Sequence, residues 1–108
     1  MTAGPAPGPD PVFAALADPT RRQILQAVGR RGEVTATELS ADLPVSRQAV
    51  VKHLQALAAA GLVGSERVGR EQRFRLTPAP LDEALRWMVD VGAAWDDRLE
   101  RLQRRFGR

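Results

Sequence analysis

Ser46 and Gly61 bracket a segment built as a helix with one bare polar face, and its neighbours on either side fix the fold class. Ser46 suits an N-cap, where a short side-chain oxygen takes an orphan backbone N–H. Gly61 suits the position just past a helix end, where the left-handed conformation favours glycine. Between them, across Arg47 to Ala60, Val50, Leu54 and Leu57 fall on one stripe. Before Ser46, Pro44-Val45 makes a tight turn after another helix start. There Thr35 and Glu38 fit a capping box, the threonine oxygen accepting the Glu38 N–H while the glutamate reaches back. That helix is expected to reach about Leu43, burying Leu39 and Leu43. After Gly61 the apolar period drops from about 3.6 to about 2. Leu62 to Val68 and Gln72 to Leu76 read as a hairpin around Gly69-Arg70-Glu71. The spacing therefore predicts a mainly α fold with a small β-hairpin: a winged helix-turn-helix.

The rest of the chain extends this unit. Residues 1–11 are rich in Pro, Gly and Ala without periodicity, and are expected to form a disordered tail ahead of one domain over residues 12–108. Asp10-Pro11 is a candidate start for a short helix from Val12 to Ala17, with Val12, Phe13 and Leu16 on one face. Asp18-Pro19 opens a second helix through Ile24, Leu25 and Val28, expected to end at Gly29 and Gly32. Glu33-Val34 suits a single strand rung. Thr77-Pro78-Ala79-Pro80 breaks the chain before a helix from Leu81 to Phe106.

Composition closes off several functions. The 108 residues hold no cysteine and one histidine, His53. A disulfide scaffold, a thiolate metal site and a thiol nucleophile are excluded, and a catalytic triad would have to run through His53 alone. His53 itself sits at the edge of the Val50 stripe and is expected to be a packed side chain bonded to nearby backbone. No glycine-rich phosphate loop is present, so no enzyme and no cofactor are expected. No apolar run nears the ~18 residues of a membrane span. The N-terminus has no basic stretch followed by an apolar one. A cytoplasmic protein with no membrane partner is the expectation.

The charge is distributed more tellingly than its total of +3. Fifteen of the sixteen cationic side chains are arginine, the other being Lys52. No acidic residue occurs from Ser46 to Ala60, and the face opposite the core stripe carries Gln48, Val51, Lys52 and Gln55, with Arg47 in the first turn. Such a face can donate to base edges and phosphates without repelling a duplex, and Val51 suits a thymine methyl. In the hairpin, Arg67, Arg70, Arg73 and Arg75 stand against Glu66 and Glu71. A basic wing can hold a phosphate backbone or enter a minor groove. The competing readings are a solvated helix in a winged helix that binds protein, and strand charges that serve solubility.

Leu81, Leu85, Met88, Gly92, Trp95, Leu99, Leu102 and Phe106 are spaced alternately four and three apart. This is an a/d seam that outruns the core of a winged helix. Trp87 and Val91 widen it. Glycine on the seam lowers helix propensity by ~1 kcal/mol, and close helix approach is the natural compensation. A homodimer made by residues 81–106 with Phe13 of the first helix is expected; the alternative is intramolecular packing with Trp95 as ordinary core. Two recognition helices about a two-fold axis would read a palindrome of double-stranded DNA with half-sites ~34 Å apart.

The stretches FAALADPTRRQIL, ELSADLPVSRQAVVKHLQALAAAGLV and GREQRFRLTPAPLDEA resemble, in that order, the ArsR/SmtB family of bacterial winged-helix repressors. The resemblance spans about residues 12–106. The helix with Trp87 and Trp95 is similar to a metal-independent branch, commonly encoded beside a START-like domain protein, in which a tryptophan-bearing terminal helix builds the dimer. Metal-sensing members carry ELCVCDL where this chain has ELSADL, with Ser40 in place of a cysteine. Asp82, Asp90, Asp96 and Asp97 have no histidine partner on the last helix. The resemblance thus implies DNA binding and dimerisation without metal sensing. It implies base and phosphate contacts at Ser46, Arg47, Gln48, Val51, Lys52 and Gln55, wing contacts at Arg70 and Arg73, and repression of a promoter. For a small-molecule effector, the dimer seam near Trp87 and Trp95 is a candidate apolar pocket; the alternative is a regulator with no ligand, controlled by its own level. An interaction module without sequence-specific DNA binding is the alternative function.

Overall fold

A computed structural model describes residues 9–105. Of the tail expected over residues 1–11, residues 1–8 lie outside the described residues, as does Phe106 on the seam, while Asp10 and Pro11 belong to the first helix and not to a tail. Helix α1, Asp10–Leu16, starts earlier than the sequence suggests: Pro9 stands at the N-cap without a side-chain cap, and Asp10 lies in the first turn. An acid there complements the positive end of the helix dipole. Its far end is closed by the next helix, whose Arg22 Nη1 donates to the Leu16 carbonyl at 2.7 Å.

That helix, α2, runs Pro19–Arg31. The Asp18 carboxylate caps it, accepting the Thr20 N–H at 2.8 Å and the Arg21 N–H at 3.3 Å. Gly29 does not end it: unlike Gly32 it keeps a negative φ, and it sits within the helix where an added Cβ would lie 3.9 Å from Leu76 Cδ2. Gly32, at φ 82°, makes the actual stop. Strand β1 is Glu33–Val34.

Helix α3, Ala36–Asp42, opens with the complete capping box: Glu38 N–H to Thr35 Oγ1 at 3.1 Å, and Thr35 N–H to Glu38 Oε1 at 2.9 Å. Leu39 is fully buried, while Leu43, just past the helix, is only half-buried. Helix α4, Arg47–Ala59, begins at Ser46, whose Oγ accepts the Ala49 N–H at 3.2 Å. It ends at Gly61, with φ 77°.

Strands β2, Val63–Val68, and β3, Glu71–Leu76, form an antiparallel hairpin, and β1 adds to the far edge of β3. Val68 pairs with Glu71, so the turn is only Gly69-Arg70, one residue tighter than expected. Positive φ at Gly69 and not at Arg70 is the pattern of a type II′ hairpin turn. The core is closed by Ile24, Val28, Val34, Leu39, Val50, Leu54, Leu57 and Leu62, all fully buried.

Helix α5, Ala79–Arg105, starts two residues before Leu81, since Pro80 is tolerated in a first helical turn. Only its start touches the core. Ala84 is buried, and Phe13 meets Trp87 edge-on with ring centroids 5.5 Å apart. The rest of the stripe is bare: Leu85, between those two contacts, and Trp95 are each 55% exposed, and Leu99 is 40% exposed. Among the described residues Trp95 is not buried as ordinary core would be. No helix among the described residues is long and apolar enough to cross a membrane.

Candidate nucleic-acid interface

The core stripe of α4 is what aims its other face outward. Val50, Leu54 and Leu57 bury against α2 and α3, and this fixes the helix about its axis. Ser46, Arg47, Gln48, Lys52 and Gln55 are then exposed, and Val51 is half-buried at the margin. These six, with Ala49, line one continuous shallow surface. No carboxylate belongs to it. Ser46 is occupied as the helix cap, so its oxygen is held in place by the backbone it serves.

Arg47 is tethered to the neighbouring helix. Its Nε donates to Thr37 Oγ1 on α3 at 3.1 Å. Beside it a groove of about 610 Å³ runs between α4, the start of α3 and the hairpin, floored by Val51, Leu54, Ala58 and Phe74 and edged by Arg47, Gln55, Arg70 and Gln72. Two carboxylates on its border, Glu38 and Glu71, are both engaged elsewhere. Glu38 is held below the ordinary carboxylate range chiefly by the Thr35 N–H, and lies 3.7 Å from Arg31. Glu71 lies 2.8 Å from Arg73 Nη2.

The hairpin separates its arginines by face. Arg67 pairs with Gln72 and Ser65 with Phe74, so these side chains share the groove-facing side, where Gln72 Nε2 donates to Ser65 Oγ at 2.8 Å. Arg73 and Arg75 lie on the other side within a charge lattice. Arg73 reaches Glu71 and, at 3.4 Å, Glu33; Arg75 reaches Glu66 at 3.3 Å. The Glu71 hydrogen bond pushes the Arg73 pKa further up. Arg67 and Arg70 have no ion pair among the described residues and are exposed. The site drawn from sequence is thus assembled on α4 and at Arg70. Arg73 is held on the opposite side, and Arg67 takes the place expected of it. Strict period-two alternation counted back from a two-residue turn would have found Arg67.

His53 is half-buried on α4, and the described hydrogen bonds include none to it. The expected bond to nearby backbone is not formed among the described residues. No group of three or more His, Asp or Glu side chains able to hold a metal occurs among the described residues.

A helix-turn-helix whose second helix is presented to solvent beside a β-hairpin defines the winged helix-turn-helix class of DNA-binding proteins. Residues 16–66 match the family described as "Helix-turn-helix domain". The chain is 39% identical over 87 residues to the uncharacterized HTH-type transcriptional regulator YuzN of Bacillus subtilis (strain 168), covering 75% of this chain and 95% of that one. An ArsR-like transcriptional regulator from Rhodococcus sp. RHA1 superposes with a TM-score of 0.80 at 48% identity, over 89% of this chain and 90% of the other. The homodimeric winged helix-turn-helix domain of Mb0332 from Mycobacterium bovis, a possible ArsR-family regulator, gives a TM-score of 0.59 at 28% identity, over 85% and 82%. Some other relatives carry arsenic, antimony or mercury in their names. The chain belongs to the ArsR/SmtB family of winged helix-turn-helix transcriptional regulators.

Proposed function

We propose that this chain is a homodimeric repressor that binds a palindromic DNA operator, placing α4 in the major groove and the hairpin wing along the flanking backbone. The observation that carries this reading is the outward face of α4: Arg47, Gln48, Lys52 and Gln55 are exposed side by side with no carboxylate among them. Arginine and glutamine at such positions suit guanine and adenine edges, and lysine suits phosphate. Arg67 and Arg70 supply the wing's free positive charge toward the same side. The exposed stripe of α5 supports dimerisation, as does the homodimeric relative.

The regulator acts without metal. The sequence offers no thiolate, and Ser40, which replaces a sensor cysteine, donates its hydroxyl to the Thr37 carbonyl at 2.8 Å as an ordinary helix side chain. Carboxylates alone are poor ligands for thiophilic ions. Zinc(II) or arsenite added to the operator complex is expected to leave it intact; release at stoichiometric metal would overturn this part.

The test of the whole is selection of binding sites from a random duplex pool with purified protein. An enriched palindrome with half-sites about one helical turn, ~34 Å, apart is expected. Binding that is tight only at low salt, with no enriched sequence from a folded protein, would favour the protein-interaction reading instead.

A further inference from the structure

We infer that Thr37, which lies on α3 outside the recognition helix, is a positioning residue that sets how Arg47 reads DNA. The inference rests on the DNA-binding reading above. Arg47 is the first residue of α4, and a long side chain at a helix start has many rotamers to lose on binding. The Thr37 hydroxyl removes much of that freedom by accepting Arg47 Nε–H at 3.1 Å. Thr37 is a stiff anchor, being β-branched and set near the start of α3, whose capping box fixes that turn.

The choice of nitrogen has a chemical consequence. A guanidinium can meet a base edge side-on, through Nε and one terminal nitrogen, or end-on, through its two terminal nitrogens. With Nε committed to Thr37, only the end-on pair is left. That pair still matches the two acceptors of guanine in the major groove.

The tether is also neutral. Arg31, Arg73 and Arg75 are each held by carboxylates within 4 Å, whereas Arg47 has no ion pair among the described residues. The nearest acid in sequence to its anchor, Glu38, is occupied by the Thr35 N–H and by Arg31. A hydroxyl orients the guanidinium and leaves its whole charge for the duplex. Thr37 is thus placed to sharpen base choice without weakening phosphate attraction.

The experiment uses the full chain, an operator found by selection, and the same operator with each base pair changed singly. Thr37→Val keeps the shape and removes the acceptor; Thr37→Ser restores it. Discrimination at one base pair is expected to fall about fivefold in Thr37→Val, the worth of one ordinary hydrogen bond. It should return in Thr37→Ser, with the dependence on salt unchanged in both. In an Arg47→Ala background Thr37→Val should change nothing further. If Arg47→Ala loses discrimination while Thr37→Val keeps it, the positioning role is overturned and the DNA-binding reading stands. If Thr37→Val weakens all sequences equally and lowers the melting temperature, the contact only pins α3 to α4, and the inference also fails. Absence of any preference in the unaltered protein would overturn both readings.

Discussion

Arg67 stands directly opposite Gln72 across the β2–β3 ladder, on the side of the sheet that carries Phe74, whereas Arg73 lies on the other side. The difference predicts unequal roles for two arginines only six positions apart. Arg73 is engaged by Glu71 at 2.8 Å and Glu33 at 3.4 Å, and must leave both before it can neutralise a phosphate. Arg67→Ala and Arg70→Ala are each expected to reduce the log–log salt slope of DNA binding by ~0.9, the signature of one lost phosphate contact. Arg73→Ala should leave the slope unchanged. Titrations across a range of salt concentrations decide this, and a lowered slope for Arg73→Ala alone would reverse the assignment.

Two helix caps predict how the fold responds to acid. The Asp18 carboxyl is held below its ordinary range first by the Arg21 N–H, with a further lowering from Thr20. Glu38 is held down first by the Thr35 N–H. A depressed carboxyl favours the folded state when ionised. Its contribution is complete above the unfolded pKa, at about 4, and is lost as pH falls through the lower folded value. Denaturant unfolding followed from neutral pH downward should therefore show stability declining in the acid range. The double substitution Asp18→Asn with Glu38→Gln keeps neutral acceptors and should flatten that decline. An identical acid profile in the variant would remove these two groups from the cause.

Much of the fold could be read from local chemistry. The Thr35–Glu38 box, the Ser46 cap and the Asp18-Pro19 start all depend on residues within one turn of each other. Their spacing is enough to predict them. The hairpin register depends on one residue. A three-residue turn through Glu71 would have paired Arg67 with Arg73 and put both on one side; the observed two-residue turn moves Arg73 to the other. Gly29 carries a local stop signal, yet the helix runs through it to its cap at Gly32. The bond between Thr37 and Arg47 joins two helices across their turn, and no periodicity within either one announces it. The Asp18, Thr35 and Ser46 caps and the core stripe of α4 were legible; the hairpin register and the contact between Thr37 and Arg47 were not.

Gly61 couples the recognition helix to α5. Its φ of 77° is strained for any residue with a side chain, and a Cβ there would lie 3.4 Å from Pro80 Cγ. Gly61→Ala should destabilise the protein by about 1–2 kcal/mol from the left-handed backbone alone. Equilibrium unfolding at fixed protein concentration measures this. Gly69 has a φ of 63° and nothing described within 4 Å of a Cβ, so Gly69→Ala should destabilise through the backbone of its type II′ turn alone. A Gly61→Ala variant as stable as the unaltered protein would remove the backbone strain argued for that position.

Gly92 tests the dimer. Among the described residues its added Cβ would meet nothing within 4 Å, so these give α5 no need of glycine there. Alanine is worth ~1 kcal/mol more than glycine in a helix interior. A monomer should therefore tolerate any side chain at this place. In a dimer whose helices cross at Gly92, a bulky side chain forces them apart. Gly92→Leu is expected to raise the dimer dissociation constant by about tenfold, in keeping with the ~1–3 kcal/mol of an overpacked contact. Trp95→Ala, which removes an aromatic anchor now 55% exposed, should also weaken the dimer, by about 2 kcal/mol or more. Sedimentation equilibrium gives both constants. Were Trp95→Ala to dissociate the dimer while Gly92→Leu left it intact, the crossing point would lie farther along α5, toward Leu99. Were neither to change it, α5 would not be the dimer surface.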